Sequence, residues 1–162
     1  MKRTRISALA LTAAAVALAS LGLASPAQAT TTANGCTMTP SRPVFAGTFT
    51  PGGVKNVNYV ITINCDLGLT VEVESDLWEQ DLVAREGDPN DDFLATVTRN
   101  RDFTLSAAAQ VITITRAIPT TGPANEGTDE ELYQSVRFRS TSGPVTSQWT
   151  TRELTQVRAI TR

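Results

Sequence analysis

Residues 81–92 hold the densest set of oxygen donors in the chain. Asp81, Asp88, Asn90, Asp91 and Asp92 fall within one segment whose Glu86-Gly87-Asp88-Pro89-Asn90 core is built from turn formers. Calcium needs several oxygen ligands gathered in one loop, so these five residues are the candidate metal ligands, and calcium is the only cofactor the sequence suggests. The spacing is not that of an EF-hand, and the same residues also serve as an ordinary solvated turn. Two further groups carry chemistry of another kind. Glu72, Glu74 and Asp76 alternate on one segment and Arg137 and Arg139 on another, so neighbouring strands would set opposite charges face to face. Trp78 and Trp149 are the only tryptophans, and each is either a plug for the end of a core or a platform for a partner. Together Trp78, Arg137, Arg139 and Trp149 form the candidate binding surface.

Catalytic chemistry has little to work with. The chain contains no histidine, and Lys55 is the only lysine beyond Lys2, so a serine or threonine nucleophile lacks its usual base. Carboxylate pairs leave a small hydrolase as a remaining alternative. The expectation is a non-catalytic protein.

The elements that would position these groups are strands. From Asn56 to Cys65 the residues Val57, Tyr59, Ile61, Ile63 and Cys65 share one face, and Asn56, Asn58, Thr62 and Asn64 share the other, with Val60 the apolar exception. After Asp66-Leu67-Gly68, Leu69, Val71, Val73, Ser75 and Leu77 oppose Thr70, Glu72, Glu74 and Asp76. An unbroken strand exposes Trp78 and a bulge buries it. Cys36 to Phe49 reads as an edge strand broken by Pro40 and Pro43. Short strands are expected at 93–98 and 103–105 around a turn at Arg99 to Asp102, and another at 111–118. Residues 120–129 read as a loop. Leu132, Gln134, Val136 and Phe138 then alternate with Tyr133, Ser135, Arg137 and Arg139, and a last extended stretch follows Ser142-Gly143-Pro144. About seven strands with no amphipathic helix predict an all-β domain, a single antiparallel β-sandwich.

The N-terminus has a different character. Lys2, Arg3 and Arg5 precede an apolar, alanine-rich run and the small-x-small pattern Ala27-Gln28-Ala29, the layout of a Sec-type signal peptide over residues 1–29. Cleavage there removes 29 of the 162 residues and three of the 14 cations, leaving 133 residues with a charge of 11 − 16 = −5. A 30–35 lead-in, expected to be disordered, and one domain over 36–162 follow. The acidic balance argues against nucleic acid, and no segment is expected to insert in a membrane after cleavage. An exported chain matures where disulfides persist, so Cys36 and Cys65, the only cysteines, are expected to form one bridge between the first two strands.

The run Leu132 to Arg139, then Ser142-Gly143-Pro144, then Ser147-Gln148-Trp149-Thr150 resembles the last hairpin of fibronectin type III and related immunoglobulin-like domains. Those domains carry a Tyr near the start of the penultimate strand, an Arg in its middle and a Ser-x-Trp-Ser-like element after the turn. The resemblance implies an immunoglobulin-like sandwich. Trp78 to Asp81, a spacer and Asp91-Asp92-Phe93-Leu94 are similar to the calcium loops of C2 domains, although Ala95 stands where those loops have glycine. The whole plan is similar to small exported actinobacterial proteins. The function expected is that of an extracellular binding or surface-associated module, with a protein or a cell-envelope polymer as partner.

Overall fold

A computed structural model describes residues 30–80, 91–118 and 129–161. All the regular structure in them is antiparallel β, in two sheets. In the first, β4 (Lys55–Cys65) is central. The strands β2 (Cys36–Pro40) and β3 (Val44–Phe49) pair with its two halves on one flank, and β7 (Gln110–Ala117) pairs along the other. The residues 41–43, which include Pro43, separate β2 from β3, so one strand line is cut in two, as its prolines predict. Pro40 sits at the β2 position whose N–H side faces away from β4, because the ladder bonds belong to its neighbours, as in the Ser41 N–H bond to the Val60 carbonyl at 2.8 Å.

In the second sheet β5 (Thr70–Glu79) lies between β6 (Asp92–Asp102) and β8 (Asp129–Ser142). The outer flank of β8 is covered in turn by β11 (Arg158–Thr161), β10 (Glu153–Leu154) and β9 (Val145–Thr146). Hydroxyls explain why this edge is broken. The Ser147, Thr150 and Thr155 side chains accept from the backbone N–H groups of Ser140, Phe138 and Gln134 at 2.9, 3.0 and 3.0 Å. Side-chain oxygens therefore stand where ladder carbonyls would. The described residues thus hold eleven strands of an antiparallel β-sandwich where about seven were expected; counting each interrupted line once leaves seven beside one further short strand, β1 (Thr31–Ala33).

That last strand differs from the expected lead-in. Residues 31–33 pair with β2 through a two-residue turn in which Asn34 and Gly35 have φ of 53° and 73°. Asn-Gly meets the positive φ that such a hairpin requires at both positions. A Cβ on Gly35 would also lie 2.9 Å from Asp66 Oδ2.

The inward alternations predicted from sequence form the core. Val57, Tyr59, Ile61 and Ile63 of one sheet pack with Val71, Val73, Leu77, Leu132, Val136 and Phe138 of the other in a single buried cluster. Cys36 and Cys65 face each other across β2 and β4 and are bonded. Closing a loop with a sequence separation of 29 residues stabilises the fold by about 3–4 kcal/mol in the chain-entropy account.

Two expected details fail. Arg99 to Asp102 do not form a turn but complete β6, opposite Val73 to Thr70. Phe103 is fully buried beyond the strand and Leu105 is 95% exposed, so 103–105 is a connection rather than a strand. The reason lies in the edge position of β6: Arg99 and Arg101 occupy the inward alternation, where a charge reads as a turn, yet an open flank lets a long side chain reach water.

Candidate functional site

The outward face of the β6-β5-β8 sheet collects the predicted binding residues. Its registers put Glu72 opposite Arg139 and Glu74 opposite Arg137. Arg137 Nη2 lies 2.8 Å from Glu74 Oε1, and Arg139 Nε donates to Glu72 Oε2 at 2.6 Å. Between β9 and β10 the chain carries Trp149 over this face, held there by the hydroxyl bonds of Ser147 and Thr150 on either side of it. The Arg137 and Arg139 guanidinium carbons stand 4.8 and 4.7 Å from its ring centroid. Arg152, which the sequence reading missed, completes the row by pairing with Glu74 and, at 2.7 Å, with Asp76 Oδ2. Its only sequence signal is its place three residues after Trp149. Thr96 donates to the other Asp76 oxygen at 2.7 Å.

Three guanidiniums thus meet three carboxylates, and the ladder carries no net charge. Each exposed pair contributes about 0–1 kcal/mol, and each cation–π contact about 0.5–1 kcal/mol. The value of the arrangement is geometric. Linked through Glu74 and Trp149, the long side chains are held in one conformation before any partner arrives.

An aromatic group continues the same face toward Glu79 and Asp92. A register shift between Leu77 and Trp78 places Trp78 opposite Phe93. The extra residue, Leu94, lies on β6, and β5 itself is unbroken through Leu77 and Trp78, so Trp78 keeps the outward alternation of an unbroken strand but is half-buried between Phe93 and Tyr133. Its ring lies 5.2 Å from Phe93, edge to face, and 6.3 Å from Tyr133 at an interplanar angle of 9°. Phe93 remains 54% exposed. Tyr133 donates to Asp91 Oδ2 at 2.6 Å. Burial first, and then this bond to a carboxylate, push its phenol above the ordinary tyrosine range. The hydroxyl thus ends on a side chain rather than on an upstream backbone group, as a tyrosine corner requires.

Of the five candidate calcium ligands, Asp81, Asp88 and Asn90 lie outside the described residues. Asp91 is engaged by Tyr133, while Asp92 pairs in register with Glu79. Among the described residues no three His, Cys, Asp or Glu side chains converge as a metal site. What the face can do chemically is bind: it is an open sheet surface of Trp, Phe and Arg, residue types that dominate interface energetics. No protein-family model matches the chain, and no curated protein matches it significantly.

Proposed function

We propose that this chain is an exported, non-catalytic binding module that holds a protein partner on the outward face of its β6-β5-β8 sheet. The observation that carries the reading is Trp149, fixed between Arg137 and Arg139 while both guanidiniums are tied to carboxylates. A partner meeting this ladder finds its charges already neutralised and ordered, so docking costs less side-chain entropy and less desolvation. Trp78 and Phe93 extend the surface with apolar area. The alanine-rich leader supports export, as does the Cys36–Cys65 bridge, and no helix among the described residues is long and apolar enough to cross a membrane.

The test is capture of a partner from the producing cell's envelope fraction, followed by affinity measurements on the purified pair. Phe93→Ala, Trp78→Ala and Arg139→Glu should each weaken binding at least tenfold, whereas Thr113→Ala on the opposite sheet should not. Equal affinity across all four would sink the reading. Binding that vanishes in chelator would transfer the site to the 81–92 loop.

A further inference from the structure

Residues 103–109 join β6 to β7, and the connection is pinned at both ends. Phe103 is fully buried. Its N–H donates to the Leu69 carbonyl at 2.8 Å, and its carbonyl accepts from the Gly68 N–H at 3.1 Å. At the mouth of the connection Gln110 Nε2 donates to the Asp102 carbonyl at 2.7 Å, and one residue along each strand Arg101 Nη2 reaches the Val111 carbonyl at 3.5 Å. Two local bonds brace its course, from the Thr104 N–H to Asp102 Oδ1 at 2.7 Å and from the Ala108 N–H to Ser106 Oγ at 3.2 Å.

Between these anchors Thr104-Leu105-Ser106-Ala107-Ala108-Ala109 is exposed at every residue and belongs to no strand. Leu105, 95% exposed, is the most exposed large apolar side chain among the described residues. The six residues make no backbone–backbone hydrogen bond there, so the N–H groups of Leu105, Ser106, Ala107 and Ala109 are open. Thr70 stands opposite both Asp102 and Thr141, which brings the 66–69 and 142–145 turns to the same end of the sandwich, with Leu67 and Val145 exposed on them.

We infer that residues 104–109 are a docking loop that inhibits an extracellular serine endopeptidase of the elastase type, one with a small primary pocket. Such an enzyme holds a peptide as an added strand through main-chain hydrogen bonds, and its pocket reads the residue before the scissile bond. In an extended peptide alternate residues present their N–H groups to the same side, so Leu105 and Ala107 can bond one edge of the enzyme together. That register puts the Ala107 methyl in the small pocket. A register with Leu105 in the pocket would call on Phe103 for the pairing, and both main-chain groups of Phe103 are already bonded within the fold.

The anchors decide between inhibitor and substrate. Attack of the enzyme's serine oxygen on the Ala107 carbonyl forms an ester and expels the Ala108 amine, which takes its proton from the enzyme's histidine. Here that amine is held beside the ester by the bonds at Ser106 and Gln110, so it returns the proton as it re-forms the peptide and frees the serine. A preformed loop also loses little conformational freedom on docking.

The measurement is the rate of elastase on a chromogenic peptide, titrated with the purified, oxidised protein, with trypsin as comparison. Stoichiometric inhibition of elastase and none of trypsin is expected. Leu105→Gly should weaken inhibition at least tenfold, Ala107→Asp should abolish it, and Ala107→Lys should transfer it to trypsin, whose pocket holds an acid. Thr113→Ala on β7 should change nothing, and retained amide dispersion shows that each variant is folded. No inhibition at micromolar protein, equal inhibition by Ala107→Asp, or cleavage as fast as that of a synthetic 104–109 peptide overturns the inference. So does binding to phosphatidylcholine vesicles by a protein that leaves elastase untouched. The loop lies at the end of the sandwich and the ladder on its face, so Arg139→Glu should leave inhibition intact, and failure of either reading is seen separately.

Discussion

Gln134 is the polar residue on which the two sheets are joined, and its replacement gives a quantitative test of the packing. It is fully buried on the alternation of Leu132, Val136 and Phe138. Its Nε2 donates across the sandwich to the carbonyls of Ser41 at 2.8 Å and Val60 at 3.1 Å, and its Oε1 accepts from Ser75 Oγ, also fully buried, at 3.1 Å. Gln134→Met keeps the volume and removes all three bonds. Val60 retains the Ser41 N–H and Ser41 is half-buried, so the loss falls on the fully buried Ser75 hydroxyl, at about 1–3 kcal/mol. With the better transfer of a thioether offsetting part of this, the substitution should destabilise by about 1–2 kcal/mol. Adding Ser75→Ala removes the stranded group, so the double variant should be no less stable than Gln134→Met alone, a coupling of about 1 kcal/mol or more. Urea unfolding followed by tryptophan emission measures both, with an unchanged denaturant slope as the check on two-state behaviour. A Gln134→Met cost below about 0.5 kcal/mol, or simple additivity in the double variant, would refute the reasoning.

Alkaline pH should destabilise the fold through its two tyrosines. Burial, then the Glu79 charge, raise the Tyr59 phenol, and burial with the Asp91 bond raises Tyr133. A folded-state pKa above the unfolded one gives stability that is intact below about pH 10 and falls as pH rises past it, because only the unfolded chain releases the proton. The slope should approach about 1.4 kcal/mol per pH unit per tyrosine, and absorbance at 295 nm should stay flat until unfolding; a phenolate transition near pH 10 in the folded protein contradicts this. The β6 and β7 edges supply another prediction. Arg99, Arg101 and Arg116 lie on inward alternations of these edge strands, opposite Val73, Val71 and Val57, and point charge into the seam where a foreign strand would add. Replacing Arg101 and Arg116 together with Val should turn a monodisperse protein into one that self-associates with rising concentration in light scattering, and an unchanged profile would remove their guarding role.

These residues also mark where sequence reading succeeds and where it stops. Period-two alternation is visible wherever a strand is central and one face is dry, so the inward sets of β4 and β5 and the common period of Glu72, Glu74, Arg137 and Arg139 follow from the letters, whereas which pairs meet is decided by the β5–β8 register. Gln134 was visible in the alternation, but its burial was not, because nothing local announces that two carbonyls of the facing sheet will accept its amide. Edge strands obscure the signal in the opposite direction. At Arg99, Arg101 and Arg158 the inward positions hold cations, since an edge leaves space for the charged tip to reach solvent while the stem covers the core. Local polarity therefore reads as a turn, or as nothing, in the two seams where the sandwich is open. Trp149 shows the same limit from the other side: its neighbours Ser147 and Thr150 give a weak strand pattern, and only their hydroxyl bonds to Ser140 and Phe138 on β8 decide that the ring lies across the ladder. The groups that can bind a partner are those whose placement depends on which strands are edges, and that property belongs to the topology rather than to any segment of the chain.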